Sequence, residues 1–149
     1  MNIDTSLMRR RREKQIKFER SVLRELSLEK LKKSVQAHFG NIYSGIGMVM
    51  DNAIEEGCYD VAVEAYILGS HYSRLGYYGE PMESIKPRSL KEQTNLAKAL
   101  ADFISYWSNF DGGNGALDES LHYKCEQYVD HWWVEGFTKG KMKYKMRMH

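Results

Sequence analysis

Proline is almost absent from this chain. Of 149 residues only Pro81 and Pro87 are proline, six apart. Long stretches on either side are therefore free of the residue that most often breaks a helix. No apolar run approaches the ~20 residues a membrane span needs, so no span is expected. Met1 to Met8 runs directly into Arg9-Arg10-Arg11-Arg12 with no apolar segment behind it. That is not the pattern of a secretory signal, and a cytoplasmic location is expected. Cysteine is equally scarce: Cys58 and Cys125 stand alone, without CxxC spacing. In a cytosolic protein they read as reduced, packed thiols. No segment sustains period-two alternation, so no sheet is expected.

What is present points to helices around a core. Apolar residues make up 42% of the chain and charged residues 28%, a globular composition rather than a disordered one. The length fits one domain, residues 1–149, with 1–6 and 145–149 frayed. Ten Tyr and three Trp bury large areas while keeping a polar tip, which suits helix seams and the edge of a groove or interface.

The apolar spacing predicts an all-α bundle of five or six helices. The first starts near residues 4–6 and carries Phe18, Val22 and Leu26 on one face. Ser27 reads as an N-cap for a helix over 28–39 lined by Leu28, Leu31, Val35 and Phe39, with Gly40-Asn41 as its stop. Residues 42–56 read as a short or irregular helix ending at Gly57. The strongest signal covers 58–75, where Val61, Ala65, Leu68, Tyr72 and Leu75 repeat at helical spacing and the other faces are also apolar; such a helix is expected to be central. Gly76 to Pro87 reads as the one clear loop and the most mobile segment. Ser89 with Glu92 has capping-box spacing, ahead of a helix over 88–110. Asp111 to Gly115 is a loop signal, and a last helix spans about 116–139 with Leu117, Leu121, Cys125, Tyr128 and Trp132 on one face, widened by Val129, Trp133 and Gly136. Tyr66-x-x-Gly69 and Trp133-x-x-Gly136 each place a glycine one turn from a large aromatic, which suits close helix packing.

Charge is unevenly placed. Arg9 to Lys33 holds eleven Lys/Arg and four Glu, a net of +7. Lys139 to Arg147 holds five basic residues and no acid. Ser34 to Thr138 holds six basic and fifteen acidic residues, a net of −9. The candidate binding residues are Arg9, Arg10, Arg11, Arg12, Lys14, Lys17, Arg20 and Arg24, which could neutralise phosphates or meet anionic lipid head groups. The acidic body could itself be their partner, within one molecule or between two copies.

Chemical motifs are thin. Gly112-Gly113-Asn114-Gly115 lacks the strand before it and the Lys-Ser/Thr after it that a phosphate loop requires. Glu119-x-x-His122 with Glu126 has the local spacing of a carboxylate-bridged di-metal bundle, but the only complement is Glu64 and His71, seven apart. Cys58 or Cys125 could pair with His71, His122 or His131, yet no local signature marks a catalytic site. No catalytic residue and no cofactor is assigned.

Several stretches are distinctive together: Arg11-Arg12-Glu13-Lys14-Gln15, Val22-Leu23-Arg24-Glu25-Leu26-Ser27, Glu56-Gly57-Cys58, Gly76-Tyr77-Tyr78-Gly79-Glu80, and Trp132-Trp133-Val134-Glu135-Gly136-Phe137. With them the chain resembles, over nearly its whole length, an uncharacterised YbaK-like family from Bacillus and relatives, unrelated to the tRNA-editing deacylase that shares the label. The resemblance implies a Gram-positive cytosolic setting and carries no activity, cofactor or active site. Three functions remain in view. The first is a non-enzymatic interaction or regulatory protein, as a homodimer or with another protein. The second is a nucleic-acid-associated factor using the basic N-terminal helix. The third is a metal-dependent enzyme built on Glu64, His71, Glu119, His122 and Glu126.

Overall fold

A computed structural model describes residues 3–46, 52–109 and 117–147. The fold is all-α, and among the described residues there is no strand. Five long helices carry the architecture: α1 (Ile3–Leu23), α2 (Leu28–Ile46), α3 (Asn52–His71), α6 (Leu90–Asn109) and α7 (Leu117–Arg147). Between α3 and α6 lie two single-turn helices, α4 (Ser73–Tyr77) and α5 (Met82–Ile85), and a 3-10 turn over Lys86–Ser89. No described helix is long and apolar enough to cross a membrane.

The hub is α7. It packs against α1, α2, α3, α4 and α6, most extensively against α3. Leu121, Cys125, Tyr128, Val129, Trp132, Trp133 and Phe137 of α7 are buried, on the face that the sequence spacing marks. The close partner face on α3 is Cys58, Ala62, Ala65, Tyr66 and Gly69, displaced from the expected stripe. Val61 and Leu68 flank that face, and only Ala65 of the expected set lies within it. The reason is steric. Small residues let α7 approach, and the larger apolar side chains are pushed to the sides.

Gly69 and Gly136 make that approach possible. A Cβ on Gly69 would fall inside the Trp133 carbonyl oxygen, and one on Gly136 inside the Tyr66 carbonyl oxygen. The two backbones meet directly, as the paired aromatic–glycine spacings suggest. Long-range hydrogen bonds tie α3 and α7 to each other and to α1 and α2. Tyr66 Oη donates to the Val22 carbonyl at 2.9 Å, Tyr128 Oη to the Cys58 carbonyl at 2.8 Å, and Trp132 Nε1 to Ser34 Oγ at 3.0 Å. Each satisfies a polar tip that burial would otherwise leave costly.

Several boundaries differ from the sequence reading. Ser27 does cap α2, with the Lys30 amide donating to its Oγ at 3.1 Å. But α2 passes through Gly40-Asn41 to Ile46, and α3 runs unbroken through Gly57. A glycine ends a helix when it turns left-handed, and among the described residues only Gly79 has positive φ, at 105°. The expected helix over 58–75 instead breaks at Tyr72 and resumes as α4. The segment from Gly76 to Pro87 is wound and anchored: Ile85 is fully buried, Arg88 contacts Glu80 at 2.7 Å, and Lys86 pairs with Asp130.

Ser89 is not a helix cap. The Leu90 amide already donates to the Pro87 carbonyl, and the Ser89 hydroxyl serves as a buried node. It accepts from Trp133 Nε1 and Gln93 Nε2, both at 2.9 Å, and donates to the Lys86 carbonyl at 3.2 Å. Finally, α7 runs on through the basic stretch after Lys139. Gly140 packs on Ser70 and Ser73, Tyr144 lies 4.6 Å from Phe18 between ring centroids and stacks on Tyr77, and Lys143 pairs with Glu25 at 3.0 Å.

Candidate functional site

The basic residues of α1 form an exposed arm. Its C-terminal third is docked: Phe18 and Val22 are buried, and Glu19 Oε1 meets His71 Nε2 of α3 at 2.6 Å. On the N-terminal side of Phe18, every residue from Ser6 to Lys17 is exposed. Leu7 and Met8 are among them, at 47% and 64%. A helix that is polar all round has no face to bury, so the arm rests on its anchor rather than on packing of its own.

Arg9, Arg10, Arg11, Arg12, Lys14, Lys17, Arg20 and Arg24 are all exposed. None of them takes part in an ion pair among the described residues. Among the described residues, the acidic body offers these cations no intramolecular partner. One C-terminal cation behaves differently: Lys143 holds Glu25, and its hydrogen bond and charge keep that carboxyl below the usual range.

A second feature was not visible in the sequence. A cleft of about 860 Å³ opens between α2, the 3-10 turn, the start of α6 and the middle of α7. Its wall includes His38, Lys86, Gln93, Tyr123, Glu126 and Asp130. Lys86, paired with Asp130, has its ammonium pKa pulled down by burial. His38 Nδ1 donates to the Ser34 carbonyl at 2.8 Å, which fixes the tautomer and leaves Nε2 as the acceptor. Burial lowers the His38 pKa, and the nearby His131, 5.4 Å away between ring centroids, lowers it further. The cleft thus offers both signs of charge and a neutral imidazole. Its residues come from four separated segments that share no motif, so only the fold assembles them.

The five metal candidates do not gather. His71 is engaged with Glu19 of α1, and His122 Nε2 meets Glu126 Oε1 at 2.8 Å along its own helix. Glu64 and Glu119 are exposed on α3 and α7. Among the described residues no group of three or more His, Cys, Asp or Glu could hold a metal ion. The cysteines are equally remote from catalysis. Both are free and fully buried; burial pushes the Cys58 thiol up to about 12 and the Cys125 thiol up as well, and a protonated thiol is a poor nucleophile. The glycine-rich loop Gly112 to Gly115 lies outside the described residues.

Fold and surface together define an all-α protein with a cationic helical arm and a cleft of mixed charge. The chain belongs to the family described as "Protein of unknown function (DUF2521)", whose model matches residues 1–149. It is similar to the uncharacterised protein YbaK of Bacillus subtilis (strain 168), with 33% identity over 144 residues, covering 96% of each chain. No solved structure matches it.

Proposed function

We propose that the chain is a non-enzymatic cytoplasmic interaction protein whose arm, Arg9 to Arg24, holds an acidic partner. The observation that carries this reading is the set of eight exposed cations that find no carboxylate among the described residues of their own chain. Unpaired charge at this density attracts a polyanionic surface and speeds encounter with it. Because the arm is already helical, little ordering entropy is lost when the partner arrives. Leu7 and Met8, exposed just before the cations, and Ile16, exposed between Lys14 and Lys17, add apolar contact.

Nucleic acid is the second reading, favoured by the same eight cations, since each phosphate neutralised releases counterions. Binding of a DNA duplex and of an acidic polypeptide over a salt series tests both. A protein partner predicts tighter binding of the polypeptide, with Arg9, Arg10, Arg11 and Arg12 changed together to Gln abolishing it. Duplex binding with a log–log salt slope near −0.9 for each phosphate contacted would favour nucleic acid. If neither ligand binds at low salt, the arm is not a polyanion site and the reading fails.

A further inference from the structure

We propose, resting on the reading above, that the acidic partner is a second copy of this chain, and that each arm lies in a groove between α3 and α6 of the other. The groove has a volume of about 370 Å³ and an apolar floor of Ala53, Gly57, Val61, Leu100 and Phe103, with Glu56 and Asp60 on its α3 side. Glu64 continues that acidic line. At positions i, i+4 and i+8, Glu56, Asp60 and Glu64 project from one side of α3. All three are exposed, and none is in an ion pair among the described residues. One chain therefore carries an unpaired cationic helix and an unpaired acidic groove whose floor can receive Leu7, Met8 or Ile16.

The arm cannot reach the groove of its own chain. Val22 sits at Tyr66, and Glu19 sits at His71, the last residue of α3. Moving toward the N-terminus, α1 therefore travels toward the C-terminal end of α3 and beyond it. Ile3 to Lys14 continues for roughly 18 Å at 1.5 Å per residue, away from Glu56 and Asp60. Only another molecule can bring the two surfaces together. Reciprocal exchange, arm to groove and groove to arm, closes a two-fold dimer with both contacts identical. Its stability rests on charge complementarity flanking a small apolar contact, so it weakens with salt.

Charge-swap variants test this by sedimentation. The arm variant carries Arg9→Glu, Arg11→Glu and Arg12→Glu; the groove variant carries Glu56→Lys, Asp60→Lys and Glu64→Lys. All six positions are exposed, and far-UV circular dichroism checks that each variant folds. At low ionic strength the wild-type chain is expected to be a dimer that dissociates as salt is added. Each variant alone is expected to dimerise at least roughly a hundredfold more weakly, because like charges face each other at both contacts. Mixed together they should form a heterodimer, since the acidic arm meets the basic groove and the unchanged arm meets the unchanged groove. A folded pair of variants that stays monomeric when mixed overturns the proposal. So does a wild-type chain that is monomeric at low salt. If that monomer still binds the acidic polypeptide or the DNA duplex through its arm, the self-association inference falls while the reading of the arm stands. If the arm variant leaves that binding unchanged, both fall.

Discussion

Replacing Gly136 with Ala sets two effects of opposite sign against each other. Gly136 lies inside the 31-residue helix α7. In a helix interior, Ala is more favourable than Gly by about 1 kcal/mol. Propensity alone therefore predicts a more stable protein. The contact with α3 predicts the reverse, because the new methyl would fall inside the Tyr66 carbonyl oxygen. That obstacle is backbone in the middle of α3, so no rotamer change can relieve it. The helices must separate, which loosens Tyr66, Trp132 and Trp133 beside the contact. Overpacking of this kind costs about 1–3 kcal/mol and sometimes more, and here the upper end applies. After the propensity gain, a net loss of about 2 kcal/mol is expected, or roughly 4–8 °C in Tm for a chain of this size. Urea unfolding followed by tryptophan fluorescence measures it, with the slope unchanged and the midpoint lowered. Gly69→Ala should behave alike, since its methyl would meet the Trp133 carbonyl. The double variant should cost less than the sum, because the first methyl already parts the helices. A raised midpoint in either single variant would refute the close-approach account.

Other expectations follow from buried groups. Ser89→Ala strips the acceptor from the buried Trp133 indole and one bond from Gln93, and should cost about 2–3 kcal/mol in urea unfolding. Ser89→Asp should cost more by burying a carboxylate; if Asp is tolerated, Ser89 is a helix cap after all. Burial raises the thiols of Cys58 and Cys125 from 9.0 and the phenols of Tyr66 and Tyr128 from 10.0. The native state then keeps protons that the unfolded chain releases, so these groups should make stability fall as pH rises from about 9 toward 12; an unfolding midpoint flat across that range would contradict their burial. His38 has the opposite sense. With its pKa lowered from 6.5, its contribution is full above 6.5 and declines as pH falls below it, because the unfolded imidazole takes up a proton first. Its ring resonances should titrate below 6.5 in NMR, and a midpoint above 6.5 would show that the ring is not desolvated.

The helices were legible because their apolar positions repeat at the right spacing, and α7 shows it best: Leu121, Cys125, Tyr128 and Trp132 are all buried as the spacing requires. Glycine misled the reading of boundaries. Gly40 and Gly57 look like stops in sequence, but a stop depends on a left-handed backbone, and neither has a positive φ. On the α3 face the small residues Ala62, Ala65 and Gly69 share the contact with Tyr66, and the bulky Val61 and Leu68 of the apolar repeat mark the flanks. At Ser89 the spacing to Glu92 suggested a local role, whereas the hydroxyl bonds to Trp133, 44 residues away. The cationic arm was legible as composition, but its lack of an ion pair among the described residues was not, since that depends on which direction α1 leaves α3. The cleft around His38 and Lys86 was invisible because its residues lie far apart in the chain and only the fold assembles them.

The position of α7 as hub also sets the order in which this protein can be made. It follows every other described helix in the chain and supplies the surface on which five of them pack. During synthesis, α1, α2, α3 and α6 leave the ribosome before the helix that covers them exists. The small-residue face of α3 and the apolar sides of α2 and α6 then stay open to water and to other nascent chains until Trp132, Trp133 and Phe137 emerge. Folding is delayed to the end of translation, and a chain stopped before Gly136 should be a substrate for chaperones and proteases rather than a partly working protein.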